Sequence, residues 1–162
     1  MEKLAAHAPP GFLHRAFSVM LVDDEQRVLL QQRAMSKYHF GGRWTNTCCS
    51  HPGPGDDLIA VARSRLGFEM GVDSADLRPI GSFEYRATDR RSGLVEHELD
   101  HVLMGATSGS PTPNPDEVAD SRWVRLDAIR TELSGAPDDF TPWFPLVLDV
   151  VDRHLAGRRG AR

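Results

Sequence analysis

A short segment in the second half of the chain carries three acidic residues at every second position. Residues 94–100 read LVEHELD and contain Glu96, Glu98 and Asp100. On a β-strand, alternate side chains lie on the same face, so the three carboxylates would share one face of a sheet. Neighbours on that face are about 7 Å apart, so two of them could bind one divalent cation. The alternative is an edge strand with a solvated acidic face, and this segment alone does not decide between the two.

Length and charge limit what a chain built around such a strand can be. The 162 residues are enough for one globular domain. We therefore predict a single domain over residues 1–162, with an extended N-terminal arm over 1–13 that contributes metal ligands and a frayed tail over 158–162. The formal net charge of −4 argues against a dedicated nucleic-acid binder.

The hydrophobic pattern bears on location. No stretch approaches the roughly 18 consecutive apolar residues that a membrane span needs. The first residues lack the apolar stretch of a secretory signal. We therefore expect a cytoplasmic protein that does not bind membranes, and no obligate protein partner is evident.

Strand, helix and turn signals predict an α+β fold. Strands are expected at residues 15–22 and 27–32, paired as a hairpin, and at 80–87, 94–104 and near 122–126, and residues 44–51 should be extended. Helices are expected from Asp56 to about Met70, and from Thr141 as the cap, with Pro142 in the first turn, to about Gly157. Because strands and helices do not alternate regularly, we predict helices packed on a mixed β-sheet.

Two adjacent cysteines lie in the extended segment 44–51. Neighbouring residues cannot form an ordinary disulfide, because extended side chains point to opposite faces. On such a strand Cys49 and His51 would share one face and Cys48 would point away from it. A thiol beside an imidazole suits either metal ligation or acid–base chemistry, although an inert buried thiol remains the alternative.

Further candidate ligands and cations are scattered along the chain. His7 and His14 would complete a set of three imidazoles and two carboxylates, which suits Mn, Zn or Fe better than Ca, but spacing alone does not establish that they converge. On the predicted middle helix, Arg65 and Glu69 lie at i and i+4, where a routine surface ion pair is the alternative. Arg33 and Lys37 flank a glycine-containing loop and could bind phosphate or be solvated.

Several motifs occur together and in order along most of the chain. They are Arg33-Ala34-x-Ser36-Lys37, Trp44-Thr45-Asn46 running into Cys49-x-His51-Pro52, Phe83-x-Tyr85-Arg86-Ala87, Glu96-x-Glu98 and Thr141-Pro142-Trp143. This pattern resembles the type 1 isopentenyl-diphosphate isomerases, a family built on the Nudix fold. The resemblance implies an isomerase that converts isopentenyl diphosphate to dimethylallyl diphosphate through a tertiary carbocation.

The resemblance also implies roles for individual residues. The ligands of one Mn²⁺ or Zn²⁺ ion would be His7, His14, His51, Glu96 and Glu98. Glu69 would help to hold Mg²⁺ with the diphosphate of a small prenyl substrate. The cationic contacts to that diphosphate would be Lys3, Arg33, Lys37 and Arg65. The proton-transfer pair would be Cys49 and Glu98, with Tyr85 assisting at the glutamate and Trp143 over the hydrocarbon end.

The chain departs from the family pattern at three places, one of which is its start, since family members usually carry another strand and turn before the position of Lys3. Nudix hydrolases carry an Arg-Glu-x-x-Glu-Glu core, but residues 64–69 read SRLGFE and keep only the carboxylate of Glu69. A multi-carboxylate hydrolase cluster therefore cannot form there. Ser50 stands where the family usually has glycine. The remaining alternatives are a Nudix-type diphosphate hydrolase, a paralogue acting on a larger prenyl diphosphate and a non-enzymatic metal-binding module.

Overall fold

Two β-sheets organise the chain. The computed structural model describes residues 3–107 and 109–161, apart from the side chains of residues 3 and 4. The elements, in chain order, are α1 (Lys3–His7), β1 (His14–Leu21), β2 (Arg27–Arg33), β3 (Trp44–Thr45), β4 (Cys48–Ser50), α2 (Leu58–Met70), β5 (Arg78–Thr88), β6 (Val95–Gly105), β7 (Val118–Arg125), α3 (Leu126–Gly135), a 3₁₀ turn (Pro137–Asp139) and α4 (Phe144–Gly160). Within the described ranges, no helix is long and apolar enough to cross a bilayer.

The acidic strand β6 is a central strand. One sheet has the order β4-β1-β6-β5 and the other the order β3-β2-β7. In the first sheet β1 runs parallel to β6, and β5 runs antiparallel to it. Glu96, Glu98 and Asp100 share one face and are buried, whereas Leu99 between them is exposed. The shared face is therefore confirmed, and the alternative of a solvated edge strand is wrong.

Helices α2 and α4 cover the four-stranded sheet. Ala62, Leu66 and Met70 of α2 are fully buried in one core cluster, with residues of β1 and β4. Phe144 and Val147 of α4 are fully buried in a second cluster, with residues of β5 and β6. Burial of each large apolar side chain contributes about 1.5–3 kcal/mol to the stability of the fold, so packing of the two helices stabilises the sheet. The mixed α+β class is thus confirmed.

Specific caps fix both ends of α2. The helix spans Leu58–Met70, close to the prediction of Asp56 to about Met70. The side chain of Asp57 accepts a hydrogen bond from the amide of Ala60 at 2.8 Å. At the other end Gly71 takes a left-handed conformation with φ 65°, and a Cβ there would lie 2.6 Å from the carbonyl oxygen of Thr112. Glycine therefore ends the helix directly after Glu69 and Met70.

The structure differs from three predictions about the first half of the chain. Strands β1 and β2 do not form a hairpin, because they belong to different sheets and share only a single bridge between Val22 and Val28. The N-terminal arm is not extended throughout, since Lys3–His7 forms the short helix α1. The extended segment 44–51 is interrupted, because the side chains of Asn46 and Thr47 turn inward to bond strand backbones.

The last third of the chain also differs from the prediction. Helix α3 was not predicted, although Leu126, Ile129 and Leu133 lie at helical spacing and pack on the core. Thr141 does not cap the final helix with its side chain, because its hydroxyl bonds that of Thr45 at 2.7 Å, and α4 begins at Phe144. The helix continues to Gly160 into the predicted tail, where Arg158 and Arg159 favour its negative end.

Candidate active site

One pocket gathers most of the residues singled out in the sequence. Its walls come from β1, β4, β5, β6, helix α2, the loop after β2 and the residue that precedes α4. Of the predicted site residues, the lining contains Arg33, Lys37, Cys49, His51, Arg65, Glu69, Tyr85, Glu96, Glu98 and Trp143. His7 contacts Glu96, and His14 contacts Glu98, so both histidines lie next to the pocket. The side chain of Lys3 lies outside the described residues.

Five of these residues form a compact His–Glu cluster. One ligand atom from each of His7, His14, His51, Glu96 and Glu98 lies within 4.8 Å of all the others. Parallel pairing places His14 directly beside Glu98, with Nε2 3.3 Å from Oε1. His51, just after β4, brings its Nε2 to 2.5 Å from the same oxygen. Helix α1 brings the Nε2 of His7 to 2.9 Å from Oε2 of Glu96.

The cluster fits a divalent metal ion. The Nδ1–H of His14 donates to the carbonyl of Phe12 at 2.7 Å, which leaves its Nε2 as an unprotonated ligand atom. That Nε2 and both carboxylate oxygens of Glu96 are buried and have no partner with good hydrogen-bond geometry in the described part of the chain, although the imidazoles of His7 and His39 lie against the two oxygens. Because buried charged oxygens are costly unless they are bonded, a cation at their common centre would stabilise them.

The two carboxylates of the cluster differ in their electrostatics. Burial would raise the pKa of Glu98, but contacts with His14 and His51 outweigh it and hold this pKa well below the usual range. Burial raises the pKa of Glu96 to about 7, against the opposing contact with His7 and with the help of the Glu98 charge. Glu98 is therefore the ionised carboxylate at neutral pH, as a base must be.

Tyr85 supports Glu98 from the neighbouring strand. The two residues are directly opposite each other in the β5–β6 register. The phenol Oη donates to Oε2 of Glu98 at 2.7 Å. Burial and then the Glu98 charge raise the pKa of Tyr85 well above its usual value, so the phenol stays protonated as a donor.

Cys49 occupies another wall of the same pocket. It pairs with Ser18 across β4 and β1, and its Sγ lies 3.2 Å from Oδ1 of Asn46. Burial and the charge of Asp100 raise the pKa of Cys49 to about 12, so the thiol keeps its proton. Cys48 points the other way into the core, as alternation predicts, and lies beside Glu69.

Trp143 is held against the pocket by its indole nitrogen. Its side chain is 3% exposed, and Nε1 donates to Oδ1 of Asn46 at 3.2 Å. The guanidinium of Arg33 lies 5.5 Å from the ring centroid, so this ring already packs against one cation. Asn46 therefore links the thiol of Cys49 to the indole of Trp143.

The cationic residues lie at the end of β2, in the loop that follows it and on α2. Arg33 is buried and donates to the carbonyl of His39 at 3.2 Å. Arg65 contacts Oε1 of Glu69, while Nε2 of Gln31 donates to Oε2 of Glu69 at 2.9 Å. Because Glu69 is 3% exposed, the predicted pair between Arg65 and Glu69 is a buried contact and not the routine surface ion pair.

Sequence reasoning did not single out several polar residues of the pocket. His39 is buried, contacts Oε1 of Glu96, and burial followed by the charge of Arg33 lowers its pKa to about 2. Asp100 accepts from Ser18 at 2.7 Å, and burial raises its pKa well above the usual value. Alternation had already placed Asp100 on the face of Glu96 and Glu98, but without a role in the site. No motif or regular spacing in the sequence marked Gln31 or His39 as site residues.

The fold and the gathered side chains define a Nudix-type protein with a His–Glu group that could hold a metal ion. A family model described as NUDIX domain matches residues 12–144. A Nocardia farcinica protein named isopentenyl-diphosphate Delta-isomerase is 51% identical over 156 residues, covering 94% of this chain and 89% of that one. A Rhodobacter capsulatus protein of the same name is 48% identical over 151 residues, covering 92% and 84%. The chain belongs to the Nudix family and, within it, to the isopentenyl-diphosphate Delta-isomerases.

Solved structures agree with the fold. A MutT protein from Methanosarcina mazei superposes with a TM-score of 0.69 at 14% identity and covers 90% of this chain and 95% of its own. The NUDIX domain of NrtR from Shewanella oneidensis gives 0.68 at 16% identity and covers 96% and 99%. At these identities the superpositions establish the Nudix fold and nothing about the reaction.

Proposed function

We propose that this protein isomerises isopentenyl diphosphate to dimethylallyl diphosphate. The observation that carries the proposal is the pairing of two groups in one pocket. Cys49 keeps its proton and Glu98 is ionised, so the pocket holds one acid and one base. Moving an unactivated double bond needs both, since a proton is added at one carbon and another is removed nearby. The identity of about half to proteins with this name supports the same reaction.

The proposed chemistry balances without a redox partner. The thiol of Cys49 gives its proton to the terminal methylene carbon, and a tertiary carbocation forms. A carboxylate oxygen of Glu98 then removes a proton from the carbon two bonds away, and the electron pair of that C–H bond becomes the new double bond. Tyr85 assists by its hydrogen bond to Glu98, which keeps the carboxylate in one orientation.

The aromatic wall suits a cationic intermediate. The indole of Trp143 offers a π-face in a buried site, where attraction for a cation is about 2 kcal/mol or more. Phe40 packs edge-on to the indole, with the ring centroids 5.6 Å apart, and helps to exclude water. A carbocation formed here would otherwise be trapped by water as an alcohol.

The polar end of the pocket suits a diphosphate. Arg33, Lys37 and Arg65 would bind its oxygens, together with Lys3. Glu69 would hold Mg²⁺ with the diphosphate, and the residues of the His–Glu cluster would hold Mn²⁺ or Zn²⁺. When bound, these cations would supply positive charge that neutralises the diphosphate and fixes the orientation of Glu98.

We place this activity in the cytoplasm and expect no nucleic-acid, membrane or obligate protein partner. The chain relies on a free thiol at Cys49, with a second free thiol beside it. Free thiols are maintained in reducing compartments. The substrate would be a small prenyl diphosphate taken from solution.

Product analysis tests the proposal. The purified protein is incubated with isopentenyl diphosphate and Mg²⁺, and the reaction is followed by phosphorus and proton NMR. We expect dimethylallyl diphosphate with the diphosphate intact. Release of phosphate without dimethylallyl diphosphate would instead establish a Nudix-type hydrolase. Turnover confined to longer prenyl diphosphates would establish a paralogue with a larger substrate.

A further inference from the structure

Glu117 joins two of the cationic residues in the pocket. Its Oε2 contacts Nζ of Lys37 and also lies 3.4 Å from a guanidinium nitrogen of Arg65. The three side chains are 16–27% exposed, so their charges are only partly screened by water. Sequence reasoning did not single out Glu117, which follows a loop and directly precedes β7.

Backbone hydrogen bonds fix Glu117 between the elements that carry the two cations. Its carbonyl accepts from the amide of Ala34 at 3.0 Å, at the start of the loop that carries Lys37. Its amide donates to the carbonyl of Asn114 at 3.0 Å, and the amide of Asn114 donates to the carbonyl of Glu69 at 2.8 Å. The segment is therefore tied to the loop on one side and to the end of α2 on the other.

The contacts of Glu117 reduce the free-energy cost of holding two cationic side chains together at the proposed diphosphate site. Lys37 and Arg65 repel each other, and each long side chain loses about 2 kcal/mol of rotamer entropy when it is held in one conformation. A carboxylate that contacts both offsets the repulsion and restricts both side chains before the substrate arrives. Such preorganisation lowers the entropy loss on binding.

We propose that Glu117 is a positioning residue that holds Lys37 and Arg65 side by side for the diphosphate. The inference rests on the proposed function in one respect, that these cations bind a diphosphate. For diphosphate affinity, the proposal predicts a change opposite to the one that simple electrostatics predicts. Removing a negative charge beside an anion should tighten binding by Coulomb's law, whereas losing a positioning residue should weaken it.

The experiment compares three variants. Glu117→Gln removes the charge at nearly constant shape, and Glu117→Asp keeps the charge but shortens its reach. Asp116→Asn removes the same charge from the exposed neighbouring residue and serves as the control. The Kd of inorganic diphosphate is measured by calorimetry at limiting and at saturating Mg²⁺. The KM and kcat for isopentenyl diphosphate are measured by product formation, and the fold by thermal unfolding.

We expect both Glu117 variants to raise the Kd and the KM roughly tenfold, the loss of about one charge-assisted contact, with kcat within about twofold. The control should leave all three constants unchanged. Equal or tighter diphosphate binding in Glu117→Gln would overturn the proposal. So would a defect that vanishes at saturating Mg²⁺, because Glu117 would then be a ligand of the ion. If the wild-type protein binds diphosphate but does not isomerise, the proposed function fails while the calorimetry still tests Glu117.

Discussion

Tyr85 and Glu98 face each other across β5 and β6, with the phenol Oη 2.7 Å from Oε2 of the carboxylate. The imidazoles of His14 and His51 lie instead against Oε1, at 3.3 and 2.5 Å. The two oxygens of Glu98 therefore have different neighbours. One faces the His–Glu cluster, and the other accepts a hydrogen bond from a phenol that lines the pocket. This division would allow a single carboxylate to bind a metal ion and also to move a proton.

Removing the phenol hydroxyl of Tyr85 should affect proton transfer by Glu98 without affecting metal binding. We expect Tyr85→Phe to lower kcat by roughly tenfold to a hundredfold, since a hydrogen bond to a charged group contributes about 1.5–3 kcal/mol. The metal content should not change, because Oε1 keeps its imidazole neighbours. Steady-state kinetics and elemental analysis of the same preparation measure both quantities. A parallel loss of metal would show that Tyr85 supports the cluster as a whole.

Substitution by alanine should affect turnover very differently at the two adjacent cysteines. Cys49→Ala should lower turnover by several orders of magnitude with the fold intact, because the acid is lost, and Glu98→Gln should do the same for the base. Cys48→Ala should keep turnover close to that of the wild type, because this thiol points into the core. It should lower the stability by about 1 kcal/mol through the small cavity it leaves. Kinetics and thermal unfolding of each variant measure these effects, and equal loss of turnover in the two cysteine variants would contradict the assignment.

The His–Glu cluster should hold one transition-metal ion per chain. Elemental analysis of protein purified without chelator should find close to one ion, and Mg²⁺ should bind near Glu69 only together with diphosphate. His14→Ala and His51→Ala should each reduce the metal content, because each removes one of the converging ligands. His101→Ala is the control, since this histidine lies outside the cluster, on the strand β6 that carries Glu96 and Glu98. An absence of bound metal in the wild type would refute the site.

Trp143 should act on the intermediate and not on the substrate. Both Trp143→Phe and Trp143→Leu lose the hydrogen bond from Nε1 to Asn46, so this loss cancels in their comparison. Only phenylalanine keeps a π-face. We expect the leucine variant to have a kcat lower than that of the phenylalanine variant by roughly thirtyfold, equivalent to about 2 kcal/mol, at a similar KM. Thermal unfolding controls for packing, and equal kcat values at equal stability would make Trp143 a simple wall of the pocket.

The parts of the fold that sequence reasoning predicted are those with strong local signals. The helix ending at Met70 has a side-chain cap at Asp57 and a left-handed glycine after it, and the acidic alternation on β6 follows from strand geometry alone. The pairing of β1 was mispredicted because its partners β4 and β6 are distant in sequence, whereas β2 follows after a short turn. Local turn chemistry cannot reveal that the two strands enter different sheets.

The same distinction applies to the site. Alternation could place Glu96 and Glu98 on one face, but their meeting with His7 and His14 depends on pairing between remote strands and on helix α1. Gln31 and Glu117 act through contacts with residues that are 38 and 52–80 positions away. Contacts of that range leave no periodic trace in a single sequence.

The proposed isomerisation adds one proton and removes another without breaking the diphosphate. Incubating isopentenyl diphosphate with the protein and Mg²⁺ in heavy water tests both parts of this proposal. The thiol of Cys49 exchanges its proton with solvent between turnovers, so it would deliver deuterium to the terminal carbon. NMR should then show dimethylallyl diphosphate with deuterium in the new methyl group and with no inorganic phosphate. Release of phosphate, or dimethylallyl diphosphate formed without deuterium, would contradict the account.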